Sequence, residues 1–385
     1  MKSTFFNLII KELLDSFSES KKIIVAYSGG IDSSALLHLL NSIKNELKQS
    51  IEVIYINHGL NKKSLDWGKF CENECNEYNI PFKLISINEK CPNGVSIESW
   101  ARNKRYSIIS KEMNKNDILL TGHHMDDQVE TFFLQILRGS GPRGLSCMPA
   151  IKKFKNGFHV RPFLNIQRNE LEEYINANNI NWQEDESNSD TRYDRNYLRH
   201  SVLPYFGVAW PSYCQSISKS INHQIESMTI LNEIALEDME KTLCKNLINL
   251  NVKILKRLSV ARQKNLIFYW LDSLNLDKPG SKHMEQIIST LINSGYDKCP
   301  CVNWKNTEIR KYRDHLYAFK SIHEHDENIE INWNTKSPLK IQGETLVAKE
   351  SHGKGISKSI IEDARITIRY RHGGEKIYTN SSSHS

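Results

Sequence analysis

The chain carries "IIVAYSGGIDSSALLHLL" at residues 23–40, which places two glycines, one acid and three serines where an apolar run gives way to a helical pattern. Glycine lets the backbone approach a ligand closely and take unusual angles. A strand that ends in glycines at a helix start turns exposed N–H groups and the positive end of the helix dipole toward an anion. The spacing is not that of the lysine-containing phosphate loop, because no Gly-Lys-Ser/Thr follows, and it is not GxGxxG. Without a lysine, a phosphate here must rely on backbone N–H groups, serine hydroxyls and a metal. Asp32 suits Mg²⁺, which takes carboxylate oxygen together with substrate phosphates. The competing assignment is a plain tight turn with Asp32 as a helix cap. The full pattern Ser28-Gly29-Gly30-Ile31-Asp32-Ser33-Ser34, directly after a strand, favours the phosphate site.

Such a corner needs a sheet to hold it. Short apolar runs alternate with amphipathic stretches through the first half of the chain. "KIIVAYS", "IEVIYIN", "FKLISI", "DILLTGH" and "HVRPF" read as strands, with helices over 31–47, 64–78, 96–113, 126–137 and 167–178. Runs rich in Ile and Val, separated by helices, predict a parallel sheet covered on both faces. Ligands of such sheets bind beyond the carboxyl ends of the strands. The chemically informative residues lie there: Ser28–Ser34, Asn57-His58-Gly59 and Gly122–Asp127. A long connecting helix follows from about 217 to 236, then a helical module to about 293, then a strand-rich tail after Cys301.

At 385 residues the chain is expected to hold two or three domains, since one usually takes ~100–200 residues. Hydrophobic content of 39% with 25% charged residues fits a globular chain, and no apolar run reaches the ~18 residues of a membrane span. "MKSTFFNLIIKELLDSF" lacks the apolar block and cleavage site of a secretory signal, so the expected location is the cytoplasm. The eight cysteines are poorly spaced for metal and are expected to be reduced thiols. Net charge is +6, divided as +1 over residues 1–215 and +5 over 216–385. Lys241, Lys245, Lys253, Lys256, Arg257, Arg262 and Lys264 fall in one stretch without an acid. That stretch is either a polyanion-binding face or a solvated helix surface.

The motif "AYSGGIDSS" resembles the pyrophosphate loop of the N-type ATP pyrophosphatases, which cleave ATP between the α- and β-phosphates and adenylate a substrate oxygen. Further segments follow in order: "INHGL", "ESWARNKRY", "TGHHMDDQVETFFLQILRGSGPRGL" and "DESNSDTRYDRNYLR". Over roughly residues 20 to 215 the set resembles the tRNA(Ile)-lysidine synthase family. The resemblance implies an α/β fold with a parallel Rossmann-like (adenine nucleotide alpha hydrolase-like) sheet, followed by a helical module and a small strand-rich C-terminal domain. The expected division is a catalytic domain at 1–215, a helical tRNA-binding module with its connecting helix at 216–300, and a strand-rich domain at 301–385. In the family that last domain usually continues beyond "RYRHGGEKI", so whether it is complete here is left open.

The implied substrates are ATP, free L-lysine and the isoleucine tRNA with a CAU anticodon, with Mg²⁺ assisting. ATP activates C2 of the wobble cytidine through its oxygen, and the lysine ε-amine then displaces AMP. ATP is expected at Ser28, Gly29, Gly30, Ile31, Asp32 and Ser33, with Asp32 on Mg²⁺. Free lysine arrives charged, its side-chain pKa being near ~10.4, and a carboxylate pair could bind the ammonium and help remove a proton. Asp127 and Glu130, three apart on a helix, share a face and are expected to bind lysine. Asp126 either caps that helix or aids the metal, and both aspartates are open to reading as first-turn acids complementing the dipole. His123 and His124 are expected to line the nucleotide pocket or pack, rather than bind zinc. Arg105 is a candidate phosphate or substrate cation, with an ordinary surface arginine as the alternative. Arg195 and Arg199 are expected at the activated base or the RNA, with a structural ion pair as the alternative. "RGSGPRGL" reads as a loop that could close over the reaction.

The cytidine must be unstacked to react, and the basic module would hold phosphates with an affinity that falls with salt. Arg199, Lys253, Lys256, Arg257 and Arg262 are the expected tRNA contacts, extended by Arg365, Arg369 and Arg371. Tyr312, Tyr317 and Tyr370 are read as core rather than stacking platforms. No membrane contact is expected, and a homodimer is left open beside a monomer. The rival reading is another pyrophosphate-loop enzyme such as a tRNA thiolase, against which stands the isolation of Cys91 and Cys147 in sequence.

Overall fold

The computed structural model describes residues 2–59, 63–244, 247–295, 298–321, 329–341, 344–353 and 355–369. It divides into two compact units, 1–233 and 234–385.

Unit 1 is built on a six-stranded sheet of β1 (Lys22–Ala26), β2 (Ser50–Asn57), β3 (Phe82–Ser86), β4 (Ile118–Leu120), β5 (Ile151–Phe154) and β6 (Gly157–Val160). The order is β3-β2-β1-β4-β6-β5, and every pairing except β5 with β6 is parallel. Continuous apolar strands mean burial on both faces. Ile23 and Val25 of β1 enter one core with α1 (Lys2–Asp15), α2 (Ile31–Ile43), α3 (Ser64–Glu77) and α7 (Arg168–Ala177), while Ile24 enters another with α4 (Ile97–Glu112). β5 was not foreseen in the sequence. Lys152 and Lys153 make it polar, as suits an exposed edge strand. The order of strands reverses between β1 and β4, which opens the crevice at their carboxyl ends.

α5 (Met125–Leu137) follows β4, with the short α6 (Pro142–Leu145) in the Gly-rich segment after it. Met125 and Val129 of α5 pack on Leu203 of α9 (Leu203–Ala209) and Cys214. That packing seats α8 (Asp194–Tyr197) and the wide turn Leu198–Val202 beside α5. The thirty-residue α10 (Tyr213–Thr242) crosses the division between the units.

In unit 2, β7 (Leu243–Cys244), β8 (Leu247–Asn251), β9 (Cys301–Trp304), β10 (Thr307–Tyr312) and β11 (His315–Lys320) form an antiparallel sheet in the order β7-β8-β11-β10-β9. Leu250 and Leu255 share one core with α12 (Val260–Ser273), with residues 284–292 after the start of α13 (Ser281–Gln286), and with Ile309 and Leu316. The helices of 252–292, among them α11 (Val252–Leu255), therefore pack against strands that follow Cys301. Two small antiparallel pairs lie further along: β12 (Glu330–Asn332) with β15 (Thr367–Arg369), and β13 (Leu339–Ile341) with β14 (Glu344–Leu346). Tyr312 is exposed rather than core, with the Arg313 guanidinium over its ring, and Tyr317 is half-buried. Arg365 Nε donates to Asn332 Oδ1 at 2.8 Å. Leu60, Lys245, Tyr370 and Arg371 lie outside the described residues. No helix among the described residues is long and apolar enough to cross a membrane.

Candidate active site

Beyond the carboxyl ends of β1 and β4 lies a cavity of about 920 Å³. Ser28, Gly30, Ile31, Asp32 and Ser33 line it, and Gly29 supplies the turn with φ +76°. Hydroxyls hold the turn rather than point outward as a set. Ser33 Oγ donates to Gly30 O at 2.9 Å and accepts from Ser28 N at 3.3 Å, and Tyr27 OH lies 3.2 Å from Ser34 Oγ. Gln183 N donates to Gly29 O at 2.8 Å, so the chain after α7 crosses the loop. A Cβ on Gly122 would stand 2.8 Å from Asp32 O, which only glycine avoids, so the exit of β4 rests directly on the first turn of α2.

That contact brings Asp32 to the acids of α5. His124, 1% exposed, lies with Nε2 3.6 Å from Asp32 Oδ1 and from Asp127 Oδ2, and Nδ1 3.6 Å from Asp126 Oδ2. Burial opposes a charge on His124, but the carboxylates of Asp127, Asp126 and Asp32 outweigh it and push the imidazole up to about 10. Asp127 Oδ2 also accepts from His124 N at 3.1 Å. Burial alone would raise the Asp127 pKa; His124 and the two arginines below hold it well under the usual carboxylate range. Asp126 caps a different helix from the one expected, accepting from Arg168 N at 2.9 Å at the start of α7.

Glu130 is buried, and both its oxygens are taken. Arg195 Nε donates to Oε2 at 2.7 Å and Arg199 Nε to Oε1 at 2.6 Å. The two arginines are four apart and share a face. Their Nη2 atoms lie 3.6 and 3.4 Å from Asp127 Oδ1. Asp127, Arg195 and Arg199 line the cavity; Glu130 stands behind them and does not. Arg105 lines the cavity from α4 and donates to His58 Nε2 at 3.3 Å. Burial and Arg105 push His58 down to about 4, so it is neutral. The lining also includes Trp182 and Gln183, which the sequence analysis does not single out, and Asp185, which opens the segment "DESNSDTRYDRNYLR", but none of the segment 138–145.

Among the described residues no three His, Cys, Asp or Glu side chains form a metal cluster. Among the same residues Asp32 Oδ1 is nonetheless a buried acceptor without a hydrogen-bond partner. One such carboxylate fits Mg²⁺, which is commonly held by one or two carboxylates plus phosphates and water.

The expected tRNA cations divide by partner. Arg199 belongs to the cluster above, Lys253 Nζ lies 2.8 Å from Asp314 Oδ2, and Arg262 Nε donates to the buried Asp238 at 2.9 Å. Lys256 and Arg257 are exposed at the end of α11.

Residues 3–206 match the family described as a PP-loop domain, and residues 250–317 match the one described as a TilS substrate binding domain. A tRNA(Ile)-lysidine synthase of Coxiella burnetii (strain RSA 493 / Nine Mile phase I) is 36% identical, over 95% of this chain and 81% of the relative. One of Legionella pneumophila (strain Lens) is 35% identical over 96% and 85%, and one of Proteus mirabilis (strain HI4320) is 32% identical over 94% and 82%.

Proposed function

Because the chain belongs to the tRNA(Ile)-lysidine synthase family, we propose that it joins free L-lysine to C2 of the wobble cytidine in the CAU-anticodon isoleucine tRNA. ATP is cleaved to AMP and pyrophosphate. The cytidine O2 bonds to the α-phosphorus as the bond to the β-phosphate oxygen breaks. The lysine amine then bonds to C2 as the C2–O bond breaks, AMP leaves with the oxygen, and a proton is lost from nitrogen. Lysidine pairs with A in place of G, and codon reading moves from AUG to AUA.

The observation that carries this reading is one cavity lined by a glycine corner that fits phosphates and, across it, by an ionised carboxylate flanked by two guanidiniums. The Ser28–Ser33 turn would take the phosphates through its N–H groups and the α2 dipole. Mg²⁺, held by Asp32 and the phosphates, would neutralise charge as pyrophosphate forms. Arg105 would add a fixed cation on the facing wall. Asp127 would be the counter-charge of the lysine ammonium. A carboxylate held so acidic is a good partner for a cation and a weak acceptor of its proton. Glu130 would act through Arg195 and Arg199, fixing them for the phosphate or the activated base. Residues 1–215 would do the chemistry, and the module of 216–300 would hold tRNA phosphates through Lys256 and Arg257. The work would take place in the cytoplasm.

The test is incorporation of labelled lysine into unmodified isoleucine tRNA with ATP and Mg²⁺. Label in the anticodon, with one pyrophosphate per lysine, is the expected result. Label that never enters, while a sulfur donor does modify the tRNA, would return the thiolase reading.

A further inference from the structure

A line of buried polar groups runs back from the cavity wall between β4 and β6. The two strands pair in parallel, with Leu119 opposite His159. Thr121, His159 and Arg161 are each at most 7% exposed. Arg161 Nη2 lies 2.9 Å from His159 Nδ1. His159 Nε2 lies 2.9 Å from Thr121 Oγ1, which lies 2.7 Å from His123 Nδ1.

The hydrogens follow from the donors. A guanidinium only donates, so His159 Nδ1 accepts and His159 carries its hydrogen on Nε2. That N–H donates to Thr121 Oγ1. The hydroxyl has one hydrogen of its own, and among the described residues Oγ1 meets no acceptor other than His123 Nδ1. His123 therefore accepts at Nδ1 and carries its hydrogen on Nε2. Burial, with Arg161 and Arg102 nearby, pushes His123 down to about 3 and His159 to about 2, against the pull of Asp127 on His123. Both rings are neutral, as the chain of bonds requires.

His123 lines the cavity, and among the described residues no protein group pairs with its Nε2. It follows Gly122, which rests on Asp32 beside the phosphate corner. A bare N–H needs an acceptor, and the lysine ammonium, which only donates, cannot supply one. In adenylation the acceptors that gain charge are phosphoryl oxygens.

We propose that His123 is a catalytic residue, a tautomer-locked Nε2–H donor to a non-bridging oxygen of the nucleotide α-phosphate, with Thr121, His159 and Arg161 as positioning residues. The phosphate contact rests on the lysidine-forming reading; the lock does not. Nitrogen-15 NMR of histidine-labelled protein, with the His123 signals assigned by loss in His123→Ala, reads the lock directly. Wild type and Thr121→Ser are expected to show hydrogen on Nε2 alone. Thr121→Val should release His123 to a mixture of tautomers. In adenylation, His123→Ala should lose roughly 10²-fold and Thr121→Val roughly tenfold, with Thr121→Ser restoring the rate at unchanged thermal midpoint. Replacing one non-bridging α-oxygen of ATP by sulfur should slow the wild type for one diastereomer and leave His123→Ala indifferent.

Hydrogen on Nδ1 in the wild type would overturn the lock. Equal sulfur discrimination in wild type and His123→Ala would overturn the phosphate contact and leave the cytidine O2 as the acceptor. A wild type that never incorporates lysine would overturn the reading of function, and the phosphate contact with it.

Discussion

At the mouth of β1 and β4, Asp127, Glu130, His124, Arg195 and Arg199 are buried or half-buried and lie within 4 Å of one another in pairs. In unit 2 the cations expected to meet tRNA, Lys253, Lys256, Arg257 and Arg262, are exposed, and two of them lie against acids, Lys253 against Asp314 and Arg262 against Asp238. The first arrangement fixes charge before any substrate arrives, which is what stabilising a transition state requires. The second leaves side chains free to follow a polyanion, and its binding should fade with salt. One region spends stability on geometry, and the other contributes attraction without shape.

Asp127→Asn tests the first half of the contrast most severely. Lysine transfer should fall roughly 30- to 10³-fold, the cost of removing one partner of a buried charge pair, read as label incorporation, while pyrophosphate release with tRNA falls far less. Equal loss in both would move Asp127 out of the lysine step. Glu130→Gln should cost about 3–5 kcal/mol in urea unfolding, because Arg195 and Arg199 lose a buried partner. Retained stability would mean that solvent reaches them easily.

Acid should act on the same unit. His58, His123 and His159 are held down to about 4, 3 and 2. Below pH 6.5 the unfolded chain binds protons that the folded chain refuses, so stability is lost as the solution is made more acid. The urea midpoint should be lower at pH 5 than at pH 7. His124, pushed up to about 10, has the opposite sign: its share is whole below 6.5 and lost as pH climbs toward 10.

In unit 2, Arg262→Ala should lower the urea midpoint by stranding Asp238, which is 1% exposed. Lys256→Ala with Arg257→Ala should change stability by no more than about 0.5 kcal/mol and lower the slope of log affinity against log salt by about 2. A steeper effect from Arg262→Ala on tRNA binding would erase the distinction between paired and free cations.

The parallel sheet was legible because each strand is a local apolar run, and the phosphate corner because seven consecutive residues carry it. Asp127 and His124 are close in sequence and in space. What sequence could not supply is pairing at a distance. Glu130 meets Arg195 and Arg199 from 65 and 69 positions away, so the i, i+3 spacing with Asp127 suggested a shared ligand instead. Thr121 and His159 read as strand residues until β4 and β6 lie side by side. β8 sits in a stretch that reads as helical, and its partners β7 and β11 lie on either side of it, the second more than sixty residues further along the chain.

The missing side chain at Gly122 has a mechanical result. Where β4 leaves the sheet, main chain lies on main chain, with nothing between that could rotate. The root of the crevice is thus a fixed stop and not a hinge. Any widening to admit a bulkier base has to come from the other walls, which residues 182–185 help to line.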